Sequence, residues 1–354
     1  MWIYLVIAVI TTIFSEVSFK SKSKAVRKLG ALITVTLPSF FYSIRYGIGT
    51  DYFNYVSAFN RIQIIGFEDR FEWAYVSLNL LVGRLGGSVE ILFFITALIM
   101  MIFLYLGLRE YSNSISIGFA MFVYMLLFYQ MSFNMVRHSV AMTICLFAYK
   151  YIRDRKLVKF LLCVFLATGF HNSSLILVPI YFLYKPLADK NKKFSRLWIY
   201  IITTICVLSI DKLITPILQR SNQLSYYLIY LQSEGSQFTF NYLIRHAPFI
   251  LVGVFLYKYI KRYDDRFVFL FSLYVTSLLL KLSGMIGIQY INRISVYLEI
   301  ALILMIAYCV RYLNNLRYFF VSMGIVSYLV IYWYYTSIYT GAHGTFPYMS
   351  ILGL

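Results

Sequence analysis

The feature that most constrains this chain is a succession of long apolar runs separated by short connections in which the basic residues collect. Runs near Ile3 to Phe19, Leu29 to Ile44, Ile91 to Leu108, Ile115 to Phe133 and Ser139 to Tyr151 come first. Two shorter arms follow, Leu157 to Thr168 and Ser173 to Tyr184, and then runs near Leu197 to Ile210, Tyr242 to Ile260, Phe267 to Leu282, Ile294 to Val310 and Tyr318 to Ile338. Their length and periodicity predict about twelve membrane segments, although several fall short of the roughly 20 residues an upright span needs. With 61% hydrophobic and 13% charged residues in 354, a polar surface for a soluble domain cannot be assembled. The expected fold is an all-α polytopic membrane protein, a single transmembrane domain over residues 1–354 with loops 45–90 and 211–240 on one face.

A formal charge of +18 would suit nucleic acid, but the basic residues sit between apolar runs and no nucleic-acid motif is present. The four cysteines, Cys145, Cys163, Cys206 and Cys309, lie inside apolar runs with no metal-ligand or disulfide spacing. The first 19 residues lack a basic leader region and a small-residue cleavage site, so a retained first helix is expected.

If the segments alternate, the basic connections at 20–28, 153–159, 185–196, 258–266 and 311–317 share one side, the cytoplasm, and both termini face outward. Counted with Arg109 and Lys150, that side carries 22 of the 32 basic residues, 13 Lys and 9 Arg. The outer side carries 8 Arg and 2 Lys. Arginine retained against the orientation rule, at costly depths, asks for an anionic ligand on the outer face.

The outer stretch Arg45-Tyr46-Gly47-Ile48-Gly49-Thr50-Asp51-Tyr52-Phe53-Asn54-Tyr55 joins a guanidinium, two glycines, a carboxylate and aromatic rings where a span must end. Glycine permits positive φ and close backbone approach, and arginine supplies a planar charged fork. Asn134, Arg137 and His138 fall at i, i+3 and i+4 on one helix face, Asn241, Arg245 and His246 begin another outer end, and Gln289, Asn292 and Arg293 a third, with Tyr297 one turn below. Snorkelling to lipid phosphate explains any one of these arginines, but a shared anion site better explains Arg45, Arg137, Arg245 and Arg293 together.

His171 lies at the apex between the two short arms, in Ala167-Thr168-Gly169-Phe170-His171-Asn172, where a broken helix lines a cavity or a histidine merely ties a turn. The acidic outer segment holds Asp51, Glu68, Asp69, Glu72 and Glu90. From Phe71, the spacing of Tyr75, Leu78, Val82 and Leu85 predicts an amphipathic helix on the membrane. Glu72 then faces either a cavity or solvent, with solvent favoured.

These residues carry a resemblance. The 45–55 stretch resembles the N-terminal signature of the EpsG-type, Wzy-like polysaccharide polymerases. So do Phe133-Asn134-x-x-Arg137 with its Tyr151-Ile152-Arg153-Asp154-Arg155-Lys156 exit, Phe170-His171-Asn172-Ser173-Ser174 before Pro179, and Asn292-Arg293-Ile294-x-x-Tyr297. The motifs come in the family's order, while His138 departs from the amide-like neighbour expected beside Arg137.

The resemblance implies a GT-C-like glycosyltransferase of a bacterial inner membrane that joins oligosaccharide units carried on undecaprenyl pyrophosphate at the outer face. A chain-length regulator is a partner implied in the same way. Arg45, Asp51, Arg137, His171 and Arg293 carry the family's site expectation.

The chemistry agrees: a pyrophosphate leaving group gathers charge that arginines stabilise, and the acceptor hydroxyl must lose a proton. No metal or other cofactor is required. The base is sought among His171 and Asp51, with Glu72 behind them, and the anion contacts among Arg45, Arg137, Arg245 and Arg293, while Asp51 could instead lock Arg45. A lipid-linked oligosaccharide flippase, a membrane O-acyltransferase and a structural partner of an export complex are the alternatives. The first should show internal repeats, which are not found, the second commonly draws its donor from the cytoplasm, and the third would not need the outer arginines.

Overall fold

The computed structural model describes residues 2–209, 236–262, 264–283 and 289–353. Most of the expected 211–240 loop, with Arg220, lies outside the described residues. All regular structure among the described residues is helical, apart from one isolated antiparallel bridge between Arg45 and Ser350. Among the described residues five helices are long and apolar enough to cross a membrane: Trp2–Lys20, Val89–Arg109, Phe240–Ile260, Ile291–Asn315 and Phe319–Tyr339. The chain divides into two compact units, Met1–Leu175 with Val310–Leu354, and Ile176–Cys309.

In the first unit, α1 (Trp2–Lys20), α2 (Lys24–Ser43), α5 (Val89–Arg109), α6 (Ile117–Leu127), α7 (Val136–Arg153) and α8 (Leu157–Thr168) form the bundle. Between α2 and α5 lie α3 (Tyr52–Ile65) and α4 (Trp73–Arg84). Local chemistry starts and stops them. Ser23 caps α2 by accepting from the Val26 N–H, Ser116 caps α6 through Phe119, and Gly66, at φ +86°, closes α3.

Close approach depends on small residues. At Gly30 a Cβ would lie 2.9 Å from the Phe14 carbonyl oxygen and 3.1 Å from the Ser18 nitrogen, so α2 crosses α1 backbone to backbone. At Gly107 it would lie 3.1 Å from Leu146 Cγ, where α5 meets α7.

The unit has two chemically different ends. At one, Glu16 accepts from Ser116 Oγ (2.9 Å) and the Gly118 N–H (2.7 Å) and pairs with Lys20. Glu110 there pairs with Lys150 (3.3 Å) and Arg153 (3.9 Å). Arg137, in the first turn of the 18-residue α7, marks the other end, about 24 Å from Arg153 at about 1.5 Å per residue.

After α16 (Phe319–Trp333) and a π-helical turn (Tyr334–Tyr339), the chain folds back as a strap over this second end. Its backbone bonds to residues 44–49: Gly49 N–H to Gly344 O (2.9 Å), Tyr46 N–H to Met349 O (3.0 Å) and Ile351 N–H to Ile44 O (2.9 Å). Tyr4, near the start of α1, donates to Thr345 O (2.6 Å). Tyr4 and the strap therefore lie at the end of the unit opposite Glu110, Lys150 and Arg153.

The second unit contains α9 (Leu177–Phe182), α10 (Tyr184–Ala188), α11 (Lys193–Leu208), α12 (Ser236–Ile260), α13 (Asp265–Lys281) and α14 (Gln289–Glu299), and α15 (Ala301–Asn315) runs on from it. Helix α13 is its axis, with α10, α11, α12 and α14 packed around it. Ser272 on α13 donates to Leu187 O (2.9 Å).

Most expected segments coincide with helices within a few residues, and α4 occupies the predicted amphipathic stretch. Three readings change. The Ile115 to Phe133 run ends as a helix at Leu127, and a 3-10 turn, Met131–Phe133, follows because Gln130 and Asn134 turn their amides to the strap. The second short arm is broken into a 3-10 turn, Asn172–Ile176, and helices α9 and α10. Residues 52–65, inside the expected 45–90 loop, form α3.

Gly30→Leu should force α1 from α2, because the obstructing atoms are backbone and cannot rotate away. Thermal unfolding in detergent should show a loss of roughly 1–3 kcal/mol, the usual cost of overpacking.

Candidate active site

Helix α4 begins against the turn that follows α8. Gly169 O accepts from the Ala74 N–H (2.9 Å) and the Tyr75 N–H (3.2 Å), satisfying donors a helix start leaves free. A Cβ on Gly169 would lie 2.7 Å from both the Ala74 Cβ and the Trp73 ring, so only glycine allows this approach. The contact brings His171 beside Glu72, the residue before α4.

Glu72 uses both carboxylate oxygens. Oε1 is 2.8 Å from His171 Nδ1 and accepts from the Asn172 N–H (3.2 Å), and Oε2 accepts from Arg137 Nη1. The same Nη1 donates to Arg70 O (3.2 Å), the guanidinium lies 4.2 Å over the Phe71 ring, and the Tyr55 hydroxyl adjoins it. The His138 ring is 5.1 Å from that of His171.

Burial by itself would raise the Glu72 pKa, but the hydrogen bond from His171 and the charge of Arg137 outweigh it and hold the carboxyl below its usual range. An ionised carboxylate only accepts, so Nδ1 of His171 carries the hydrogen and, in the neutral ring, Nε2 keeps the lone pair. Side-chain exposures of 9% for Glu72, 17% for Arg137 and 22% for His171 make the histidine the most approachable of the three. A carboxylate, an oriented imidazole and a guanidinium can together take up a proton and steady an anion. The solvent-facing reading of Glu72 is thus overturned, because Arg137 and the turn before α9 converge on it.

Arg45 takes a different place from the one expected. Its guanidinium is fully buried (0% exposed) with Cζ 4.0 Å from the Tyr42 ring, 4.4 Å from Phe93 and 4.7 Å from Phe133. It donates to Tyr42 O (3.2 Å) and Phe133 O (3.4 Å). Turned inward, it ties the end of α2 to α5 and the 131–133 turn instead of presenting its fork outward. Asp51 opens α3 and accepts from Asn54 Nδ2 (3.4 Å), and among the described residues no ion pair joins it to Arg45. Asn134 donates to His343 O (2.8 Å), and Gly47 and Gly49 take φ +63° and +93°, as the sequence requires of glycines at a sharp exit.

The remaining expected residues belong to the second unit. Arg245 is half-buried with Nε on Asn241 O (3.0 Å), Arg293 is exposed on α14 and Tyr297 is fully buried. Beside His246 there is a charged cluster that sequence reasoning missed. Glu299 pairs with Lys281 (2.9 Å) and accepts from the Tyr242 hydroxyl, the Tyr242 ring stacks on His246 at 4.1 Å, and His246 Nδ1 is 2.8 Å from Tyr274 Oη. Its signal was available, since Lys281 and Glu299 are charges set within apolar runs.

Two outcomes are expected. Arg45→Lys keeps the charge but loses the planar contact with three rings, and should lower thermal stability by roughly 2 kcal/mol or more, with no rescue relative to Arg45→Met. Glu72, depressed in the folded protein, contributes stability that is complete above the unfolded carboxylate value of about 4.3 and is lost as pH falls through the lower folded value. Melting temperatures between about pH 5 and 3 should therefore fall more steeply for wild type than for Glu72→Gln, and equal slopes would show that the carboxylate is not held ionised.

The EpsG family model matches residues 28–350, a range that includes Arg45, Glu72, Arg137, His171 and the strap as far as Ser350. No curated protein and no solved structure matches the chain. With its membrane-length apolar helices and a family match over most of its length, the chain belongs to the EpsG family of polysaccharide polymerase-like membrane proteins.

Proposed function

We propose that this protein polymerises oligosaccharide units carried on undecaprenyl pyrophosphate, at the outer face of a bacterial inner membrane. The observation that carries the reading is the Glu72 carboxylate shared between His171 and Arg137. The remoteness of this set from the basic end of the first unit supports an outward-facing site, because basic connections stay in the cytoplasm. The shorter helices complete about twelve segments of a GT-C-like architecture in this reading.

His171 acts as general base. Glu72 holds its Nδ1–H, and Nε2 takes the proton from a hydroxyl at the non-reducing end of the acceptor unit. The oxygen of that hydroxyl bonds to the anomeric carbon of the donor chain. The bond from that carbon to the pyrophosphate oxygen breaks, and its electron pair leaves with the lipid pyrophosphate. Arg137, held over Phe71 and against Glu72, places a positive charge where the leaving group becomes more negative. Asp51 and His138 are kept as neighbours that shape the acceptor side, and Asn134 as a support of Arg137. Arg245 and Arg293 are candidate anion contacts of the second unit, to be tested separately.

The test is a gel of surface polysaccharide from cells lacking their own copy, complemented at matched expression. Deletion should leave single units on lipid, and wild type should restore the ladder. His171→Ala should lose about 10²- to 10⁴-fold in polymer formation, the usual contribution of a general base, and Arg137→Lys should not rescue. Full-length chains lacking a substituent after deletion would make this a modifying enzyme. Reporter fusions that place His171 in the cytoplasm would remove the mechanism.

A further inference from the structure

The strap bonds both to residues 44–49 and to the turn that leads into Arg137. Gln130 is 2% exposed, and its amide is committed at both ends: Nε2 donates to Thr345 Oγ1 (2.8 Å) and Oε1 accepts from Trp333 Nε1. Thr345 is itself fully buried, and its carbonyl accepts from Tyr4. Four residues after Gln130, Asn134 donates to His343 O, and three residues later Arg137 leaves the first turn of α7 for Glu72. On the other side Gly344 O accepts from Gly49, whose missing side chain makes room for Asn134, since a Cβ there would lie 2.5 Å from Asn134 Oδ1. Among the described residues no hydrogen bond joins the strap to Glu72, Arg137 or His171.

We propose that the C-terminal strap positions the active site, with Gln130 and Thr345 as positioning residues that act through the 131–134 turn on Arg137. The role rests on the polymerase reading for its consequence, though not for its geometry. A buried primary amide must keep its partners, so the Gln130 and Thr345 pair fixes where the turn can sit. The turn in turn fixes where α7 begins. Thr345→Val preserves the shape of the side chain and removes the acceptor. The stranded amide donor can then find a partner only by moving the turn, which draws Arg137 away from Glu72. Thr345→Ser keeps the hydroxyl and should keep the alignment.

The experiment compares wild type, Thr345→Val, Thr345→Ser and a chain ending at Thr340 in the deletion strain. Polysaccharide ladders are read at matched membrane abundance, and protease cleavage within residues 341–350 is followed in isolated membranes. The expected result is a tenfold or greater loss of polymer for Thr345→Val, recovery to near wild type for Thr345→Ser, and loss in the shortened chain although all its helices remain. Strap cleavage should quicken in Thr345→Val and not in Thr345→Ser. A wild-type ladder from Thr345→Val, or an equal defect in both substitutions, would overturn the positioning role. If wild type itself builds no ladder, the polymerase reading fails instead. Cleavage then decides the strap alone: release in Thr345→Val only supports its anchoring by the hydroxyl, and equal protection overturns it.

Discussion

A single carboxylate reaches two partners of different kinds, a guanidinium and an imidazole, and the geometry of the candidate site depends on that. Glu72 stands just ahead of a helix start, where a negative charge is welcome, and its two oxygens divide between Arg137 and His171. Removing the charge would release both partners at once. The histidine would lose the acceptor that selects its tautomer, and the guanidinium the anion that offsets its burial. Segments from three distant parts of the chain, at 70–75, 137 and 169–172, are thereby held to a common geometry.

Around this centre the frame is built from another buried cation. Among the described residues no carboxylate pairs with Arg45, which is held by two carbonyls and three aromatic faces. A guanidinium tolerates such surroundings better than an ammonium because its charge is spread over a plane that can lie on rings. It sits where α2 gives up its last carbonyls, so it also answers the negative end of that helix. Residues 44–49 then have a rigid footing on which two left-handed glycines can turn the chain, and the strap can add its backbone bonds.

The second unit follows the same economy with a different set. Lys281, Glu299, Tyr242 and His246 satisfy one another among apolar helices, as buried charges must. Three helices, α12, α13 and α14, each contribute to it, so the cluster also holds their mutual positions.

The sequence by itself determined the class of fold and the rough place of nearly every helix, because apolar length and basic connections are local properties that a bilayer reads directly. It also pointed to Gly47, Gly49, Arg137 and His171, since a glycine at a sharp exit and a charge at a span end are visible without neighbours. Only the tertiary structure decided which of these meet. Glu72 looked like a solvated residue on an amphipathic helix until Gly169 brought the His171 turn against α4. Arg45 and Arg137 are chemically alike in sequence, yet one faces inward onto rings and the other pairs with a carboxylate. The strap could not be read at all, because its role lies in backbone bonds and in a Gln130 and Thr345 pair 215 residues apart. Pairing across such distances is set by how helices pack, and packing belongs to the whole chain at once.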